Sequence, residues 1–218
     1  EISECLVGSE MCIRDSYVYN QLTKDNNGNI KVDQNGNLGI TSSNTPVKVG
    51  NLDADFNLGW TNHFTYKGID LGIVLSARVG GLAYSATQGI LDYYGVSETS
   101  ATARDNGGIP INNGKVNAQK YYQTIGTGEG GYGRYYLYSA TNVRLQELSL
   151  NYTLPKRWFK NVANVTLGIV GRNLWMIYCK APFDPELSAS TSSNYYMNVD
   201  YFMQPSLRNF GFNVKVQF

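Results

Sequence analysis

Few side chains in this sequence have the types and spacing that catalysis or metal binding requires. His63 is the single histidine. Zinc needs three or four His, Cys or carboxylate ligands at set spacings, and His63 has no such companions. Hydrolysis by an activated serine would have to use His63, and no nucleophile elbow occurs anywhere. Of the three cysteines, Cys5 and Cys12 lie in an atypical opening stretch, which leaves Cys179 with neither a disulfide framework nor a cysteine metal site. The run G-T-G-E-G-G-Y-G, Gly126 to Gly133, is rich in glycine. A phosphate cradle also needs a strand before it, a helix after it and usually a Lys with Ser or Thr, so this run reads as flexible loop. No cofactor is expected, and the chain does not read as an enzyme.

Two stretches bring carboxylates near other oxygen ligands. Asp25 to Val32 (D-N-N-G-N-I-K-V) and Asp33 to Ile40 (D-Q-N-G-N-L-G-I) form a short repeat. Each Asn-Gly tolerates positive φ, so tight turns are the natural reading. The sharper reading is a calcium loop, but that pattern wants its glycine at position six and Gly28 and Gly36 stand at position four. F-D-P-E, Phe183 to Glu186, offers carboxylates to calcium or substrate, although Asp-Pro is also an ordinary turn initiator. Paired tyrosines supply the other candidate site. Tyr93-Tyr94, Tyr121-Tyr122, Tyr135-Tyr136 and Tyr195-Tyr196 combine an apolar ring with a polar hydroxyl, which suits a glycan. The same residues equally suit a protein partner's surface or the rim of a membrane.

The elements that must position these residues are strands. The chain has 218 residues, net charge +1, 16% charged residues, 17 Tyr and 23 Gly. Low charge without a basic stripe gives no case for nucleic acid. Richness in Tyr, Gly and Asn without a long apolar run points to an all-β protein. No stretch approaches the roughly 20 apolar residues of a spanning helix, whereas transmembrane strands leave a much weaker signal.

In the closing stretch R-N-F-G-F-N-V-K-V-Q-F, Phe210, Phe212, Val214, Val216 and Phe218 share one parity. Asn209, Gly211, Asn213, Lys215 and Gln217 share the other, so a strand here has one apolar and one polar face. Upstream, Phe56, Leu58, Trp60, Phe64 and Tyr66 alternate in the same way; Lys67-Gly68 is a tight turn; Ile69, Leu71, Ile73, Leu75, Ala77 and Val79 line the return strand. Each strand is about ten residues, the length of a tilted transmembrane strand. Val143 and Leu145 lie out of phase with Leu148, Leu150 and Tyr152, as a β-bulge near a barrel rim would place them. Pro155 to Asn161 reads as a short turn carrying Trp158 and Phe159, and Val165, Leu167 and Ile169 open a further strand running to Trp175. Tyr17, Tyr19 and Leu22 end another strand.

Between these strands, residues 80–140 show no sustained periodicity and residues 176–207 are irregular. Long loops of this kind are usually functional. Short and long connections alternate strictly. In outer-membrane barrels short turns face the periplasm and long loops face outside, so Phe218 is assigned to the periplasmic end. Trp158, Phe159, Trp175 and Tyr178 fall near strand ends, where aromatic girdles belong. The polar parity, including Asn57, His63, Asp70, Arg78, Arg172, Asn213 and Lys215, would face the lumen. The expected fold is therefore an antiparallel, up-and-down part of a large transmembrane β-barrel. Too few strands are present to close it, so the remainder lies elsewhere. The rival reading is a soluble, secreted, carbohydrate-binding β-sandwich.

Y-S-A-T-N-V-R-L-Q-E-L-S-L-N-Y-T-L-P-K (Tyr138 to Lys156), V-G-R-N-L-W (Val170 to Trp175), F-D-P-E and the aromatic closing strand together resemble the C-terminal end of SusC/RagA-type TonB-linked outer-membrane transporters. Gly50 to Leu71, with R-V-G-G at Arg78 to Gly81, is similar to the preceding hairpin of that family. The resemblance covers about residues 17–218. One departure is Asp53-Ala54-Asp55, where a proline commonly precedes the aspartate. The first 16 residues resemble instead the translation of a sequencing adapter, most clearly at Glu10 to Ser16, and are expected to be foreign to the protein. The resemblance implies a 22-stranded barrel with a plug, a SusD-like surface lipoprotein as lid, energy from TonB through a missing N-terminal part, and import of oligosaccharides or peptides across the outer membrane of a Gram-negative cell.

Overall fold

The computed structural model describes residues 16–19, 21–39, 47–126, 133–159, 162–186 and 198–217. In chain order the strands are β1 (Ser16–Tyr19), β2 (Val47–Asn51), β3 (Phe56–Tyr66), β4 (Ile69–Val79), β5 (Leu82–Ser85), β6 (Ile109–Ile111), β7 (Gly114–Val116), β8 (Leu137–Ser139), β9 (Asn142–Thr153), β10 (Asn164–Cys179), β11 (Val199–Asp200) and β12 (Asn209–Gln217). The helices are α1 (Ala86–Tyr93), α2 (Glu98–Asp105) and α3 (Ala118–Gly126). The chain divides into two compact units. The described residues within 54–80, 140–184 and 204–218 form a wall, and those within 1–53, 81–139 and 185–203 form a lobe.

The wall is one antiparallel five-stranded sheet in the order β12-β10-β9-β4-β3. Its strands are neighbours in space in the order in which the chain visits them, so it is an up-and-down meander. Lys67 (φ 47°) and Gly68 (φ 86°) are both left-handed, as a two-residue hairpin turn matching the strand twist requires. The Lys67 ammonium lies 5.2 Å from the centre of the Tyr66 ring. The phase change in β9 is a bulge. Val74 pairs with Glu147 and Leu75 with Leu145, so Gln146 is the extra residue against β4. On the other side β10 answers with two extra residues, Asn173 and Leu174, between Arg172 and Trp175. The bulge shifts phase once, and the apolar residues on both sides of it then share a face. Among the described residues, β12 is paired on one side only, as the unclosed sheet predicts.

The lobe corrects the reading of residues 80–140 as an unstructured loop, and it adds helices to an expected all-β chain. Here β5 lies between β8 (antiparallel) and β11 (parallel), β6 and β7 form a hairpin, and three helices pack on one another. These elements are two to nine residues long, too short to sustain a readable period. Their starts are nevertheless written in the sequence. Ser85 accepts from the Gln88 amide (3.2 Å), Ser97 from the Ser100 amide (3.1 Å) and Asn117 from the Gln119 amide (2.9 Å). Each satisfies a donor that its helix leaves orphaned. The second irregular stretch also needs correction, since β10 runs on to Cys179 and β11 interrupts the remainder.

The Asp-Asn-Gly repeat folds as two equivalent turns. Asp25 Oδ1 accepts from the Asn27 and Asn29 amides, both at 2.9 Å, and Asp33 Oδ1 accepts from Asn35 (2.9 Å) and Asn37 (2.7 Å). Three equivalent positions then close a ring. Thr23 N–H donates to Gly39 O (2.9 Å), Lys31 to Thr23 O (2.9 Å) and Gly39 to Lys31 O (2.8 Å). A side chain on Gly39 would overlap Thr23 Oγ1 and stand 3.2 Å from Lys31 Cβ. Leu22, Ile30 and Leu38, one from each leg, enter the core formed with Ile111, Val116, Ile125 and Tyr136. The repeat therefore gives the lobe one apolar anchor per turn. Asn112 locks the middle leg, accepting from Ile30 N–H (3.0 Å) and donating to Ile30 O (2.9 Å).

Candidate functional site

Cross-strand register gives the wall two chemically distinct faces. Tyr66, Ile69, Tyr152, Leu167 and Val214 lie in one row across five strands, and Phe64, Leu71, Leu150, Ile169 and Phe212 in another. Past the bulge, Trp60, Leu75, Leu145 and Trp175 continue the same face. The outer strands' side chains here are exposed, up to 75% at Phe210. The alternate rows are polar. Thr65, Asp70, Asn151, Gly168 and Asn213 form one, and Thr61, Val74, Glu147, Arg172 and Asn209 another. Thr65 donates to Asp70 at 2.6 Å, and Arg172 Nε to Glu147 at 2.8 Å. A large apolar face open to the outside, backed by a hydrogen-bonding face, is what a lipid-bounded wall needs. In a soluble sandwich the apolar face would be covered by a second sheet.

His63 stands on the polar face, opposite Gly72, in the row that holds Ser149. A Cβ on Gly72 would come within 3.0 Å of His63 Cε1 and would overlap Ser149 Oγ, so the glycine makes room for both. Arg78, Asp70, Arg172 and Asn57 occupy the same face. Among the described residues, no group of three or more His, Cys, Asp or Glu is placed to hold a metal ion.

F-D-P-E turns out to supply an anchor. Asp184 Oδ1 accepts from Arg144 Nη2 at 2.5 Å, with side chains 5% and 8% exposed, and Asp184 Oδ2 accepts from Ser206 Oγ. This carboxylate is neutralised by protein partners, which favours a structural use over a calcium ligand. Sequence reasoning passed over Arg144. The available signal was a charged residue between Val143 and Leu145, on the polar parity of that half of the strand.

The described tyrosine pairs do not form one surface. Tyr136 is a core residue, 3% exposed, and donates to Asp92 Oδ2 at 2.9 Å. Burial and the neighbouring Asp92 carboxylate push its phenol far above the ordinary tyrosine range. Tyr121 and Tyr122 meet edge to face at 5.3 Å and pack against the core, and burial raises both phenols. Tyr135 is partly exposed and accepts from Leu22 N–H at 3.4 Å. Tyr93 and Tyr94 also meet edge to face, at 5.1 Å, with Tyr94 71% exposed. Tyr195, Tyr196, Phe218 and residues 127–132 of the glycine run lie outside the described residues.

Two features of the lobe, the role of Asp92 and the pairing of the loop residue Tyr201 with Phe202, escaped sequence reasoning. Asp92 is buried and accepts from Ser97 Oγ, Thr99 Oγ1 (2.9 Å) and Tyr136. Nothing local marks it, because its donors come from two other segments. Tyr201 and Phe202 form an exposed edge-to-face pair at 5.5 Å. Phe202 is left-handed (φ 49°), with its N–H donating to Thr87 Oγ1 at 2.7 Å. The strand before it is tied down where Ser85 Oγ donates to Asp200 at 2.9 Å.

No family profile matches the sequence. Among curated proteins the chain is similar to "TonB-dependent receptor P3" of Formosa agariphila, at 26% identity over 201 residues, 89% of this chain. In fold it is similar to the RagAB peptide importer. The "open-open" state gives a TM-score of 0.61 at 16% identity over 93% of the chain, and the "closed-closed" state 0.57 at 16% over 92%. The chain spans 19% of that receptor's length and 22% of the matched RagAB chain.

Proposed function

We propose that this chain, a stretch of a TonB-dependent receptor, supplies wall strands and a folded outer lobe to a SusC/RagA-type importer in a Gram-negative outer membrane. The observation that carries this is the exposed apolar face, aligned row by row across the five-stranded sheet. Exposed to water, such a face would drive aggregation; against lipid it is the stable arrangement. β3 and β4 have 11 residues each. Strands of that length run about 36 Å and, tilted by about 45°, cross about 25 Å of hydrocarbon. Trp175 and Tyr178 then sit toward one interface and Tyr66 and Trp158 toward the other. The turn at Lys67-Gly68 and the connection after β9 face the periplasm. The long connections after β4 and β10 face outside.

The sheet leaves β3 and β12 unpaired on one side each, so further strands of the receptor complete the barrel. Energy for import comes through TonB. The polar rows face the lumen. The lobe carries the contacts to cargo and to a SusD-like lipoprotein, and its outward aromatics, Tyr94, Tyr201 and Phe202, are the residues best presented for either. Oligosaccharides and peptides are the cargo classes. RagAB is described as a peptide importer, so peptides are the first to try.

The test is genetic and biochemical. Deleting the receptor gene should abolish growth on one of these nutrient classes under TonB-dependent conditions, and tagged receptor should recover a surface lipoprotein from detergent extracts. Unimpaired growth on both classes would reject the importer reading. Full-length protein in the soluble fraction, with no heat-modifiable barrel, would favour the secreted sandwich.

A further inference from the structure

We propose that Asn173 and Asp184 are register clamps, which fix the pairing of β12 on β10 and so decide which face of β12 meets lipid. The inference rests on the membrane reading only for its consequence; the clamps themselves are geometric. β12 pairs with β10 without interruption from Asn164↔Gln217 to Arg172↔Asn209. No tight turn sets this register. β3 and β4 are joined by Lys67-Gly68, but β10 and β12 are separated by residues 180–208. A connection that long permits neighbouring registers at little entropic cost. A one-residue slip would turn Phe210, Phe212, Val214 and Val216 to the polar face.

The two clamps act where the chain enters β12. Residues 203–208 have no regular structure of their own. Asn173, the left-handed bulge residue of β10 (φ 53°), donates from Nδ2 to Leu207 O at 3.2 Å. Asp184, itself fixed by Arg144, accepts from Ser206 Oγ. Consecutive residues, Ser206 and Leu207, are thus held by two side chains from different parts of the wall, with only Arg208 between them and the first paired residue, Asn209. The other long connection has a comparable fastening. Gly80 N–H donates to Thr141 Oγ1 at 3.0 Å, just outside the Arg78↔Asn142 pair of β4 and β9. The bulge at Asn173 therefore does more than accommodate the bulge of β9, because its left-handed residue aims an amide at the incoming chain.

The experiment uses the whole receptor in outer membranes. Leu167→Cys with Val214→Cys reports the native register, and Leu167→Cys with Lys215→Cys or Asn213→Cys reports slips of one residue. Disulfide yield is read on gels, in a Cys179→Ser background. In the parent, only the native pair should cross-link. Asn173→Ala combined with Ser206→Ala removes both clamps but leaves the Arg144–Asp184 pair intact. We expect slipped cross-links to rise to at least a tenth of the total. If the combined variant does not accumulate, each single variant is scored in the same way. A parent-like ratio in the combined variant, or in both singles, overturns the proposal. Heat-modifiable migration of the parent tests the membrane reading separately, so the two failures are distinguishable.

Discussion

Asp92 shows how one buried carboxylate organises the lobe. Its oxygens take hydroxyls from Ser97, Thr99 and Tyr136, and Tyr136 reaches it from beyond α3. Tyr136→Phe should lower lobe stability by about 1–3 kcal/mol, the range for leaving a buried acceptor short of a donor. Hydrogen exchange of lobe amides would measure it. Tyr94→Ala, at an exposed ring, should change stability by less than about 0.5 kcal/mol, so any loss of uptake there would report a contact with cargo or partner. The pH response follows from the turn carboxylates. Backbone amides of Asn29 and Asn37, ahead of the other causes, hold Asp25 and Asp33 below the ordinary carboxylate value of 3.8. A depressed folded value means that their contribution is complete above 3.8 and is lost as pH falls through the folded values. Protection of the Asn27, Asn29, Asn35 and Asn37 amides, taken relative to their intrinsic exchange rates, should therefore fall only below that point. Loss of protection beginning near neutral pH would contradict the turn geometry.

At the scale of elements, the wall and the repeat each make a sharp demand. Leu150 and Ser149 are sequence neighbours on opposite faces of β9. Leu150→Arg should destabilise the assembled barrel by about 2–4 kcal/mol, whereas Ser149→Arg, directed to the polar face, should cost far less. Urea unfolding in lipid vesicles would compare them, and equal effects would refute the assignment of faces. The repeat closes through Gly39, where a methyl would overlap Thr23 and press on Lys31. Gly39→Ala should loosen all three legs together, seen as faster exchange at Thr23, Lys31 and Gly39. At Gly80 the backbone is left-handed (φ 84°), and a Cβ would stand 2.8 Å from Asp55 N and overlap its carboxylate. Gly80→Ala combines strain with collision and should reduce receptor accumulation in the membrane, measured by immunoblot.

Across the molecule, the long connections do the opposite of what their composition suggests. Low periodicity in residues 80–140 looks like freedom, yet the segment folds around its own core with the Asp-Asn-Gly repeat. What the sequence by itself determined was the wall. Strict alternation, a two-residue turn and a one-residue phase change specify strands, hairpin and bulge, because side-chain direction in a strand depends only on parity. It also carried the likeness to TonB-linked transporters, through spaced motifs in Tyr138 to Trp175. Tertiary structure decided the rest. Tyr136 and Tyr94 are the same residue type in similar surroundings of sequence, and only the fold makes one a core donor and the other a surface ring. Phe183 to Glu186 read as a turn that could also offer a cation ligand, and only the fold shows that Arg144, from β9, neutralises Asp184. Thr23, Lys31 and Gly39 close their ring through backbone groups, which leave no trace in residue type. Faces follow from local periodicity, but contacts between distant segments depend on which elements the chain brings together.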